Sequence, residues 1–225
     1  NELLADPQKL KGVLREELIA IRDKFGDKRK TEIQEIEDEI DIEDLIAEEQ
    51  CVFTMTAAGY IKRTPASEYT AQGKGGMGKK GMATRDEDYV TTVFTASSHD
   101  HIFLFTNKGR VFRKKGYQIP EAGRTAKGTN IVNILQVEPD EKVSVMVHAR
   151  DLTNEELFLT MITRNGTVKR LEVSALKNLR STGIRALTLD EGDELIEVKE
   201  TDGTNRILIA THDGMACVFD ENDVR

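Results

Sequence analysis

The chain has 225 residues, 38% of them hydrophobic and 32% charged, with 32 Lys/Arg against 40 Asp/Glu and a formal net charge of −8. That length sustains one large or two small domains with real cores, and neither a twenty-residue apolar run nor a signal-peptide pattern occurs, so the chain reads as soluble and unexported, with no membrane partner. Cys51 and Cys217 have no metal-ligand or redox spacing, which points to reduced cytosolic thiols.

Asp6-Pro7 predicts a helix start, with Asp as N-cap and Pro at the first helical position, where its missing N–H leaves no bond unmade. Leu10, Leu14, Leu18, Ile21 and Phe25 then recur at helical spacing, and Gly26 supplies the stop. This one-sided helix needs a partner that the chain does not supply. Residues 1–33 comprise this helix and its exit, and residues 34–50 read as an acidic linker and lead-in, since no basic residue interrupts Glu35 to Glu49. Residues 1–50 hold 8 basic and 16 acidic side chains, so the remaining 24 and 24 sum to zero. Within 59–128, however, 13 Lys/Arg face 6 Asp/Glu, a local +7.

From Cys51 the pattern becomes β, with short runs of Val, Ile, Phe and Thr broken by Gly, Asn and Asp. A Thr-x-x-Gly repeat recurs at Thr56 to Gly59, Thr106 to Gly109, Thr163 to Gly166 and Thr211 to Gly214, each after an apolar run, with glycines 50, 57 and 48 residues apart. In the first three a second short strand follows. Asn165-Gly166 and Asp213-Gly214 predict type I′ hairpin turns with positive φ at both central residues. A period near 50 with several strands per unit predicts a mainly β, propeller-like domain over residues 51–225, whose blades must stack to bury both faces.

A second glycine follows the turn glycine in the first three units: Gly78 and Gly128 by 19 residues, Gly183 by 17. These junctions are basic. The first is Gln72-Gly73-Lys74-Gly75-Gly76-Met77-Gly78-Lys79-Lys80-Gly81, five glycines and three lysines in ten residues. Glycine admits positive φ and close approach while lysine offers a point charge, so the segment suits an anionic surface; it also suits a flexible loop. Its counterparts are Arg124 to Gly128 and Arg180 to Arg185.

Four residues past the turn glycine stand Arg63, Arg113 and Arg170, with Lys62 and Lys169 beside two of them; the fourth unit has Val218 there. A side chain recurring in register forms a ring, and a basic ring is a track for a curved polyanion, duplex DNA above all, held through its phosphates. Lys79, Lys80, Lys108, Arg110, Lys114, Lys115, Arg124, Lys127 and Arg185 complete this candidate rim. The alternative is that exposed edges carry Lys and Arg against aggregation, on a scaffold that binds proteins. His99-Asp100-His101 reads as a polar turn, not a metal pair, and neither a catalytic triad nor a Walker A loop is present, so no residue of this chain reads as catalytic.

Val13-Leu14-Arg15-Glu16-Glu17-Leu18, Phe25-Gly26-Asp27-Lys28-Arg29-Lys30-Thr31-Glu32-Ile33, Asp41-Ile42-Glu43-Asp44-Leu45-Ile46, Gly59-Tyr60-Ile61-Lys62-Arg63, His99-Asp100-His101-Ile102 and Thr106-Asn107-Lys108-Gly109-Arg110-Val111 resemble the family of bacterial DNA gyrase A subunits. The match runs from the end of the cleavage domain into the DNA-wrapping domain. Gln72 to Gly78 falls on the family's box of Gln, two basic residues, two glycines, a basic residue and a glycine, with Gly73 and Met77 replacing basic residues. The resemblance implies a β-pinwheel whose blades exchange strands, six in the family against four repeats here. It also implies that the box serves DNA wrapping and negative supercoiling, with Lys74, Lys79 and Lys80 clamping one end of the path. The family's catalytic tyrosine and the last two blades are absent from this sequence. ATP and magnesium would act through other segments of an ATP-dependent type II topoisomerase. Its partners would be duplex DNA, the gyrase B subunit and a second copy of the A subunit, in an A2B2 assembly in the cytoplasm.

Overall fold

The computed structural model describes residues 7–27, 31, 42–69, 81–84 and 87–224, and the chain divides into two units, Asn1–Asp41 and Ile42–Arg225. In the first, helix α1 (Pro7–Phe25) carries Arg22 and Lys24 in its last turn, where cations offset the negative end of the helix dipole. The Gly26 N–H donates to the Arg22 carbonyl at 2.6 Å and closes that turn. The apolar stripe is exposed, with Leu18 at 65% and Phe25 at 69%. The expected N-cap, Asp6, lies outside the described residues.

The second unit is built of antiparallel strands in four sheets. The first repeat supplies β1 (Gln50–Thr56), β2 (Tyr60–Pro65) and β3 (Val90–Ser97); the second supplies β4 (His101–Thr106), β5 (Arg110–Lys115), β6 (Thr129–Asn130) and β7 (Val143–Ala149). The third supplies β8 (Phe158–Thr163), β9 (Val168–Glu172), β10 (Ile184–Arg185) and β11 (Leu195–Thr201), and the fourth β12 (Arg206–Ala210) and β13 (Ala216–Asp220). Sheet orders are β3-β1-β2-β6, β10-β5-β4-β7, β11-β8-β9 and β12-β13. Thus β6 leaves the second repeat to pair with β2 of the first, and β10 leaves the third to pair with β5 of the second. This is the strand exchange that the pinwheel resemblance implies. The fourth repeat, expected to lack a second strand, has one in β13, whose Cys217, Val218 and Phe219 pair with β12.

The Thr-x-x-Gly repeat is one turn made four times. Each Thr carbonyl accepts the N–H of its Gly at 2.9 to 3.1 Å, and each Thr hydroxyl accepts the next N–H, as from Arg110 to Thr106 Oγ1 at 3.2 Å. Gly59, Gly109, Gly166 and Gly214 have φ of 79, 74, 90 and 80°, while no other residue type has positive φ among the described residues. The type I′ expectation at Asn165 and Asp213 is therefore corrected. The positive φ falls on the glycine alone, as in a turn closed by a glycine bulge, which lets any residue occupy the two centres.

Stacking of the blades makes the core. On β4, Ile102 and Leu104 pack with Phe53, Met55 and Ile61 of the first blade, whereas Phe103 and Phe105 pack with Leu159, Met161 and Val198 of the third. Both faces of this strand are buried, which is why it reads as a continuous apolar run. In the fourth repeat Leu208 and Val218 are 66% and 51% exposed.

Candidate nucleic-acid interface

The sheets have an inner and an outer edge. β3, β7 and β11 line one cleft of about 440 Å³, so β6 and β10, at the opposite edges, run along the outside. Each exchanged strand follows a left-handed glycine. A Cβ on Gly128 (φ 80°) would lie 2.6 Å from the Ile61 carbonyl, and one on Gly183 (φ 73°) 2.8 Å from that of Val111, so only glycine permits these approaches. The same bond then locks both exchanges: Ile131 N–H to the Gly59 carbonyl, and Ala186 N–H to that of Gly109, each 2.8 Å. Gly128 and Gly183 are thus equivalent, as their register predicts.

These junctions carry basic side chains on the outer edge. Arg180 and Arg185 are exposed there, and Arg124 and Lys127 half-buried, with the Lys127 ammonium 3.8 Å from the centre of the Tyr60 ring. Lys114 is half-buried on β5, and Lys108 is exposed and paired to Glu138 at 3.1 Å. Gln72, Gly73, Lys74, Gly75, Gly76, Met77, Gly78, Lys79 and Lys80 lie outside the described residues.

The remaining rim candidates are engaged within the protein. Lys62 is fully buried, its ammonium held by three carbonyls, which removes it from any surface track and corrects that expectation. Arg63 donates to the Ile119 carbonyl (3.0 Å) and pairs with Glu49 and Glu121 (2.9 and 2.8 Å). Arg113 donates to the Leu176 and Lys177 carbonyls (3.3 and 2.6 Å), and burial pushes its pKa down. Arg170 reaches Asn222 Oδ1 at 2.8 Å over the Phe158 ring. Each of these arginines meets the short 3₁₀ turn of the following repeat, at Gly116–Gln118, Val173–Leu176 and Glu221–Asp223. Their register is that of a latch between blades. Lys169 donates to the Ala186 carbonyl (2.7 Å), Arg110 to Glu141 and the Thr182 carbonyl (2.7 and 2.6 Å), and Lys115 to Glu43 and the His99 carbonyl (2.8 and 3.1 Å).

Sequence reasoning missed the acidic partners of the turns. Asp88, Glu141 and Asp193 each stand two residues before the innermost strand of their repeat. Glu141 accepts the Thr106 hydroxyl at 2.7 Å, and the Thr163 hydroxyl holds the Asp193 carboxyl below the usual range. Their recurrence ahead of β3, β7 and β11 was a readable signal. In the polar turn, His99 Nε2 meets the Ile46 carbonyl at 2.8 Å, but His101 Nδ1 is buried without a hydrogen-bond partner. No group of three or more His, Cys, Asp or Glu placed to hold a metal ion occurs among the described residues, and no described helix is long and apolar enough to cross a membrane.

Blades that exchange edge strands, with basic side chains at the junction before each exchange, define a β-pinwheel. A family model described as DNA gyrase C-terminal domain, beta-propeller, matches residues 52–97, 100–148 and 158–202, and the chain belongs to that family. It is 48% identical over 225 residues to the DNA gyrase A subunit of Clostridium acetobutylicum, covering 100% of this chain and 27% of the relative. It is 46% identical over 223 residues to that of Halalkalibacterium halodurans, covering 99% and 27%. The chain thus spans about a quarter of the length of these relatives. Among solved structures, the C-terminal domain of a DNA topoisomerase IV aligns at 29% identity and a TM-score of 0.66, covering 80% of this chain and 54% of that one. A DNA gyrase A C-terminal domain shares the fold at a TM-score of 0.62 and 24% identity, over 79% and 56%.

Proposed function

We propose that residues 51–225 bind duplex DNA along the outer edge of the blades and bend it, within a DNA gyrase. The observation that supports this reading is the pair of junctions leading into β6 and β10, the first bearing Arg124 and Lys127 and the second Arg180 and Arg185. Phosphates are the ligand that such side chains suit, because contacts to them need charge and reach rather than base geometry. The box at Gln72–Gly78, with Lys79 and Lys80, would continue the path on the first blade. In this reading the chain contributes no catalytic group. It presents a crossing segment to a type II topoisomerase that works with the gyrase B subunit and a second copy of the A subunit, using ATP and magnesium bound elsewhere, in the cytoplasm.

A role in topoisomerase IV is the second reading, favoured by the 29% identity to such a domain and by Gly73 and Met77 within the box. Duplex binding by the complete protein, followed across salt concentration, tests the rim. Each phosphate neutralised adds about 0.9 to the slope of log K against log salt, so Arg180→Ala with Arg185→Ala should flatten that slope by about 1 to 2. An unchanged slope and affinity would remove the junctions from the interface.

A further inference from the structure

Lys62 sits on β2 at 0% exposure, yet its side chain ends in an amino group. Its ammonium donates to the carbonyls of Gly81, Gly123 and Arg124 at 3.0, 3.0 and 2.6 Å. A lysine has three N–H donors and no acceptor, so the cage matches it bond for bond. Without such partners, burying an ammonium is strongly unfavourable. Burial lowers its pKa, and the nearby Glu68 carboxylate opposes that shift while accepting the Arg124 N–H at 2.9 Å.

The cage is particular to the first repeat. The matching residue in the second is Phe112, buried and apolar, and in the third Lys169, which reaches the Ala186 carbonyl. A phenylalanine at 62 would leave three carbonyls without their donor. The carbonyls also belong to two segments: Gly81 closes the glycine-lysine stretch of the first repeat, while Gly123 and Arg124 open the basic turn of the second. Upstream, the second segment is zipped to β2 through Arg63 N–H to Pro120, Ala122 N–H to Arg63, and Thr64 Oγ1 to Ala122. Downstream, β6 pairs with Tyr60 and Ile61. Between these anchors Lys62 holds the main chain at the residue that bears one basic group of the rim.

We propose that Lys62 is a positioning residue for DNA binding, its ammonium fixing the 123–127 turn against β2 so that Arg124 and Lys127 meet the phosphates. This rests on the reading that the rim binds duplex DNA. It is tested by a double-mutant cycle in the complete protein: Lys62→Met alone, Arg124→Ala with Lys127→Ala, and all three, with a short duplex as probe and thermal unfolding of each variant alongside. Lys62→Met should weaken binding by about fivefold, and by less than twofold once Arg124 and Lys127 are gone. Lys62→Gln, which keeps two N–H donors, should recover part of the loss. A folded Lys62→Met protein with wild-type affinity would overturn the proposal. An equal loss in both backgrounds would also overturn it, since Lys62 would then be a general brace. If Lys62→Met does not fold, Lys62→Gln carries the same cycle, and the same two results would overturn the proposal. If Arg124→Ala with Lys127→Ala leaves affinity unchanged, the turn is not part of the interface, and the proposal falls through the rim reading and not through Lys62.

Discussion

Two half-buried features at the residue scale have measurable costs. Gly128 combines φ of 80° with a Cβ position 2.6 Å from the Ile61 carbonyl, whereas Gly166 has φ of 90° and nothing within 4 Å. Alanine at 166 meets the left-handed penalty alone, about 1 to 2 kcal/mol. At 128 it must also move a strand, so Gly128→Ala should cost at least about 1 kcal/mol more in denaturant unfolding. Equal losses would contradict the close approach. His101 is held at about 4 rather than 6.5, by burial first and then by Lys115 and Arg113. Above pH 6.5 it is neutral folded and unfolded. As pH falls from 6.5 towards 4, the unfolded chain takes up a proton that the folded one refuses, so stability declines, by roughly 1 to 2 kcal/mol once screening by solvent is allowed for. His101→Gln should lose less stability between pH 7 and 4.5 than the wild type; an identical loss would show that His101 does not titrate as described.

At the element scale the blades are joined by apolar faces and by arginines. Phe105, fully buried between the second and third blades, should cost about 3 to 5 kcal/mol as alanine, while Leu208, 66% exposed, should cost under about 1. Arg113→Ala strips the donor from two carbonyls and should cost about 1 to 3 kcal/mol in thermal or denaturant unfolding; an unaltered midpoint would dismiss the latch. The sequence disclosed some of this. Thr-x-x-Gly was legible because a turn is local, and both faces of β4 were legible because His101–Thr106 is apolar throughout its centre. The exchanged strands could not be read from periodicity: β6 and β10 are two residues each, too short to show alternation. The register of Arg63, Arg113 and Arg170 was visible, but most of their acceptors lie one repeat further on, and those at Ile119, Leu176 and Lys177 are main-chain carbonyls, which carry no sequence signature. Lys62 misleads for the same reason. A lysine in a strand looks exposed until three carbonyls converge on it.

For the whole molecule, net charge misleads. The −8 is that of residues 1–50, and the remainder is neutral, with an excess of basic residues over 59–128. An outward series of such junctions suits a stiff polyanion that must be bent, because many weak contacts spread along the path offset the bending cost. The most direct measurement is the linking-number change trapped when nicked circular DNA is closed by ligase in the presence of the complete protein. A shift that grows with protein concentration and shrinks when Lys74, Lys79 and Lys80 are replaced by alanine is the predicted result. Circles closed at the linking number of free DNA, with the protein demonstrably bound, would contradict wrapping.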